Sequence, residues 1–204
     1  WASEGQDGNG TGVFGQRYNA VGERIGTEFE VNSQTLSTQC DPSVAALSGG
    51  GFVVTWQSQA QDGSGWGVYA QRFGADGAAV GGEFLVNTTT GQSQHQPVVT
   101  GTAGGGFVVA WYYDYYNAAF TELGDVFFQR FDANGNRLGA ETQGNPVGQG
   151  TAYQSEPAIA GLAGGGFVLL WRDDAGDGAS NGTAVRGQVF DAGGTAQGAA
   201  FLVN

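Results

Sequence analysis

The chain has 204 residues, 40% of them hydrophobic, with 39 glycines against four prolines and a formal charge of −12 at pH 7. Nineteen acids face seven arginines and no lysine, so the surface repels phosphate backbones and anionic headgroups, which excludes nucleic acid and membrane surfaces as natural partners. No run approaches the roughly 20 apolar residues of a membrane-spanning helix, and Cys40, the single cysteine, cannot form an intramolecular disulfide and reads as a small buried hydrophobe.

The segment Gly-Gly-Gly-Phe-Val-Val-x-Trp recurs as Gly49–Trp56, Gly104–Trp111 and, with two leucines, Gly164–Trp171, at intervals of 55 and 60 residues. Trp1 stands 55 residues before Trp56, which places residues 1–32 in a further copy without its inner strand. Repeats of this length argue architecture before chemistry.

Taken in chain order, each unit carries the same elements. A short apolar strand follows proline (Pro42–Leu47, Pro97–Thr102, Pro157–Leu162), and the glycine turn leads into a valine-rich strand ending at tryptophan. After a polar loop comes a third strand: Gly12–Tyr18, Gly67–Phe73, Asp125–Phe131 and Thr183–Phe190. Three copies end in Gln-Arg-aromatic, whereas the last reads Gln188-Val189-Phe190. Turns of the Asp-Gly or Asn-Gly type (Asp76-Gly77, Asn134-Gly135) supply the positive φ of a tight hairpin. The fourth strand is read as Glu28–Asn32, Glu83–Asn87 and Ala200–Asn204, and is degraded at Glu141–Asn145.

Four short antiparallel strands per unit describe a blade of a β-propeller. The expected fold is all-β, a propeller of four-stranded antiparallel blades. The chain holds about three and a half of them in an incomplete ring: a partial blade in 1–32 and blades in 33–87, 88–145 and 146–204. Trp56, Trp111 and Trp171 are expected between blades. Further blades or a second chain are needed to close such a ring.

Chemistry is sought where the units differ. Tyr112, Tyr113, Asp114, Tyr115, Tyr116 and Asn117 exceed what packing requires, and Trp66 lies outside the repeat in a predicted loop. Flat aromatics beside carboxylate and amide groups suit sugar binding. Calcium is the cofactor the loops could hold, with Asp173, Asp174, Asp177 and Asn181 as oxygen ligands; the same letters are ordinary turn residues, and the glycine-rich loops after Asp7 and Asp62 read first as turns. Arg17, Arg72 and Arg130 are expected to pair with acids such as Glu28 and Glu83. One histidine, His95, and no lysine leave little for nucleophilic catalysis or zinc.

The run Gly-Gly-Gly-Phe-Val-Val-x-Trp, with Gln-Asp-Gly-x-Gly-x-Gly-Val-Tyr-Ala-Gln-Arg-Phe and Gly-Glu-Phe-x-Val-Asn after it, resembles the tandem propeller-type repeats of large secreted bacterial surface and adhesin proteins, often found beside RTX calcium-binding repeats. That resemblance spans the chain and implies an extracellular or cell-surface location. It further implies a non-catalytic role in adhesion or carbohydrate binding, with a glycan or another cell-surface protein as partner. The RTX nonapeptide itself is absent, so its calcium chemistry does not carry over. Two other readings stand beside this one: a purely structural repeat of a surface layer, filament or adhesin, and part of a glycoside hydrolase.

Overall fold

The computed structural model describes residues 1–116, 122–146, 153–176 and 182–204. The described residues form four antiparallel sheets. The first holds β1 (Ala2–Glu4), β2 (Thr11–Tyr18) and β3 (Arg24–Glu30); the second β4 (Gln39–Ala46), β5 (Phe52–Gln59), β6 (Trp66–Phe73) and β7 (Ala79–Leu85). The third holds β8 (Ser93–Gly101), β9 (Phe107–Tyr116), β10 (Glu122–Phe131) and β11 (Arg137–Gln143). The fourth holds β12 (Gln154–Gly161), β13 (Phe167–Asp173), β14 (Ala184–Phe190) and β15 (Ala196–Leu202). Strands pair in chain order within each sheet, and β8 packs between β4 and β12, so the inner strands gather at one side of the array.

The glycine triplet is explained position by position. Its second glycine closes a turn at φ 84–91°, a region that L side chains rarely adopt. A Cβ on its third glycine would sit 2.2–2.3 Å from the carbonyl oxygen of Phe73, Phe131 or Phe190. The first has open space around it, so only two of the three are dictated by geometry.

Sheets stack through their apolar faces. Trp56, Trp111 and Trp171 are 0%, 0% and 1% exposed, as expected of residues between blades. Between the second and third sheets, Val53, Val68, Ala70 and Val86 meet Phe107, Val109, Trp111 and Phe131. Between the third and fourth, Val108, Ala110, Val126 and Phe128 meet Phe167, Leu169, Trp171 and Phe190.

Polar clasps then lock consecutive sheets. The asparagine after each fourth strand accepts from a third-strand amide: Asn32 from Val13, Asn87 from Val68, Asn145 from Val126 and Asn204 from Val185, at 2.6–2.8 Å. The first three also donate to the glutamine that opens the next inner strand, Gln39, Gln94 or Gln154, at 3.4, 2.9 and 3.4 Å. The fourth strands therefore start and end earlier than the sequence suggested, because the asparagine side chain replaces the backbone in the ladder. Each fourth strand carries two extra residues where it faces Gly15–Arg17, Ala70–Arg72, Phe128–Arg130 or Gly187–Val189 of the third strand, and this bulge produces the offset.

The arginines are a correction. Arg17, Arg72 and Arg130 donate to carbonyls in the next sheet's hairpin turn, at Ala75 and Asp76, Ala133 and Asn134, and Ala192, rather than pairing with Glu28 or Glu83. Glu83 instead caps Ser33, and Glu141 caps Thr88, whose amide lies 2.6 Å away. A planar guanidinium matches two adjacent carbonyls better than it would a distant, solvated carboxylate.

Candidate functional site

The segment around Tyr112 continues β9. Alternation along the strand therefore divides its side chains between two faces. Tyr113 and Tyr115 lie tilted to one another with centroids 5.6 Å apart, and Tyr113 meets the edge of Phe127 at 5.8 Å. Tyr115 donates to Asp125 at 3.0 Å, and Asp125 accepts from Asn145 at 2.7 Å, which ties this face to the inter-sheet clasp. Burial first, then neighbouring negative charge, raises the pKa of both tyrosines above the ordinary phenol value, keeping both as neutral donors. This half is a wall.

Tyr112 and Asp114 lie on the other face, where rings from three sheets converge. Trp66 and His95 centroids are 6.1 Å apart, His95 and Tyr112 5.3 Å, and Tyr112 and Tyr153 5.9 Å. Asp114 Oδ2 lies 3.5 Å from His95 Nε2, and both groups keep partial exposure. Trp66 is the first residue of β6 rather than a loop residue, and its amide donates to Ser93 Oγ at 3.3 Å. The structure thus brings Trp66, Tyr112 and Asp114 together, sets Tyr113 and Tyr115 apart, and adds His95 and Tyr153. His95 could have been found by register, since it stands directly opposite Tyr112 in the ladder. The Tyr116 side chain and Asn117 lie outside the described residues.

The acidic candidates have other partners. Asp173, 1% exposed, meets Arg186 Nε at 2.7 Å and accepts from the Ala175 amide at 2.9 Å. Asp174 pairs with Arg172 at 3.0 Å, so a cation would have to take both carboxylates from guanidinium groups. Asp177 and Asn181 lie outside the described residues, and among the described residues no three potential ligands converge as a metal site. Asp7 and Asp62 accept from Asn9 and Ser64 amides two residues on, which makes both loops Asx turns. Cys40 is half-buried rather than buried, and its sulfur accepts from Gln57 at 3.4 Å; burial, then Asp41, pushes its thiol pKa up.

A second polar place lies where the inner strands meet. Asp41, Gln96 and Glu156 occupy one repeat position, each at a bulge and each with φ near +50°. With the prolines that follow them they line an open depression of about 530 Å³. A further cleft, of about 630 Å³, lies between the first and second sheets. It is lined by packing residues such as Phe14, Phe29 and Phe52, where the first sheet has no inner strand.

No protein-family model matches the chain, and no curated protein sequence does. Solved structures do. A protein of unknown function from Dyadobacter fermentans DSM 18053 superposes with a TM-score of 0.62 at 12% identity, over 94% of this chain and 58% of that one. An endo-arabinase from Bacteroides thetaiotaomicron VPI-5482 gives 0.54 at 15% identity, over 89% and 68%. The chain thus spans 58% of the length of the first of these structures. At such identities the likeness is one of fold. Fold and site together define an array of repeated antiparallel sheets with a ring-lined polar surface at the ends of its second strands.

Proposed function

We infer that the chain is a non-catalytic, secreted β-propeller module that binds carbohydrate through Trp66, His95, Tyr112 and Asp114. The observation that carries this reading is the series of partly exposed rings from Trp66 to Tyr153 with the Asp114 carboxylate beside them. Apolar ring faces cover the C–H face of a pyranose or furanose, and Asp114 and His95 take hydroxyls. Fold likeness to a protein named as an endo-arabinase supports arabino-oligosaccharides as first probes.

The test is calorimetric titration with arabino-oligosaccharides, followed by a glycan array. Tyr112→Ala and Trp66→Ala should each weaken binding about five- to thirtyfold, in keeping with an aromatic contact of about 1–2 kcal/mol. Wild-type affinity in both variants would end the proposal.

Glycoside hydrolysis is the second reading, and it rests on Asp41 and Glu156, two carboxylates at strained bulges in one depression. Release of reducing ends from arabinan, abolished in Asp41→Asn, would favour it over simple binding.

A further inference from the structure

The junction between the third and fourth sheets departs from the repeat. In the first two junctions a fourth-strand phenylalanine wedges against the next sheet, Phe29 on Phe73 at 5.4 Å and Phe84 on Phe131 at 5.5 Å. The third sheet has Thr142 at that position and fills the wedge from its third strand instead, with Phe128 4.9–5.0 Å from Phe190 and Phe167. The capping carboxylate is lost as well, since Ala200 stands where Glu83 and Glu141 serve earlier junctions. What remains is a cleft of about 550 Å³, between the rim Gln143–Pro146 and the facing side of the fourth sheet, within the range of small-molecule sites.

One wall of that cleft carries Asp173 and Arg186. Their counterparts are Ser58 and Tyr69 in the second sheet and Tyr113 and Phe127 in the third, so the fold is made without any charge there. Replacing packed side chains with a buried ion pair is a weak way to gain stability, since desolvation opposes the attraction. Of the five N–H groups that a guanidinium owns, one on Nη2 donates to the Gly176 carbonyl at 3.0 Å, while Nε lies 2.7 Å from Asp173 as an ion-pair contact without a hydrogen bond. The others remain for a ligand. Because Asp173 already neutralises Arg186, and the chain carries a charge of −12, the cleft favours hydroxyl acceptors over a carboxylate.

We propose that this cleft is a separate binding site for one neutral sugar unit, held by the Arg186 guanidinium. The choice of ligand class rests on the carbohydrate reading above; the site itself does not.

The experiment is a nitrogen-15 NMR titration with D-galactose and L-arabinose, with D-galacturonic acid as the charged control. It follows the indole N–H of Trp171, which lines the cleft, and of Trp66, which marks the first site. Neutral sugar should move both signals in the wild type. The double variant Asp173→Ser, Arg186→Tyr carries the second sheet's own residues; it should keep its Tm and lose at least tenfold affinity at Trp171 while Trp66 responds unchanged. Tyr112→Ala should do the reverse, so a failure at one indole leaves the other reading standing. No Trp171 shift in the wild type would overturn the proposal, as would unaltered Trp171 binding in the double variant or a stronger response to galacturonic acid. So would a fall of many degrees in its Tm, which would make the pair structural.

Discussion

The junction between the second and third sheets and that between the third and fourth solve one packing problem with opposite side chains. In the former, Ala70 makes room for Phe84; in the latter, Phe128 takes the space that Thr142 leaves. Large and small residues have exchanged strands, and the tryptophan behind them stays buried in both. Repeats therefore preserve the total volume at a junction, not the identity of a position. The exchange is incomplete at the rim, and the cleft lined by Asp173 and Arg186 is what it leaves open.

The sharpest way to break that comparison is Phe128→Ala, which should destabilise by about 3–5 kcal/mol in denaturant unfolding. Adding Thr142→Phe should recover most of the loss, because it rebuilds the wedge of the earlier junctions. Simple additivity of the two changes would show that the two positions do not share a space. Smaller effects are expected at the feature both junctions keep. Asn87→Ala and Asn145→Ala should each remove about 1–2 kcal/mol by orphaning a buried amide, and a loss confined to one of them would make the clasps unequal.

The smallest effect is electrostatic and belongs to the first junction. Burial, then the charges of Asp7 and Glu83, raises the pKa of Glu30, against a bond from Asn32 that lowers it. A raised carboxylate pKa means the folded state binds the proton more tightly than the unfolded chain, so Glu30 opposes folding when ionised. Its penalty is present at pH 7 and fades as pH falls through the folded pKa. Glu30→Gln should therefore raise Tm by about 1 °C at neutral pH, since exposed charges couple weakly, with the difference vanishing toward pH 4. A difference that grew on acidification would reverse the assignment.

Much of this was legible from residue order. Glycine triplets, Trp56 and its counterparts, and the Asp-Gly and Asn-Gly turns name the strands and the stacking face, because each depends on local geometry or on burial alone. The site was legible in half. Tyr112 and Asp114 stood out as excess aromatics and acid, but a run of five residues cannot say that it is strand, and only strand alternation separates them from Tyr113 and Tyr115. Partners across a junction were invisible: Trp66 reaches His95, Asn87 reaches Gln94 and Arg72 reaches a turn 61 or 62 residues on, none of which follows from spacing within one unit. The ion pair of Asp173 was hidden for the same reason. Its partner Arg186 sits where other units hold an aromatic residue.

The asparagine clasp has a consequence for shape. A single amide both takes the last rung of its own sheet and grips the opening glutamine of the next, so the stopping point of one sheet and the tilt of its neighbour cannot vary independently. The curvature of the array is thereby written once per unit, in one side chain. Lengthening that side chain by a methylene would change the arc before it changed any sheet.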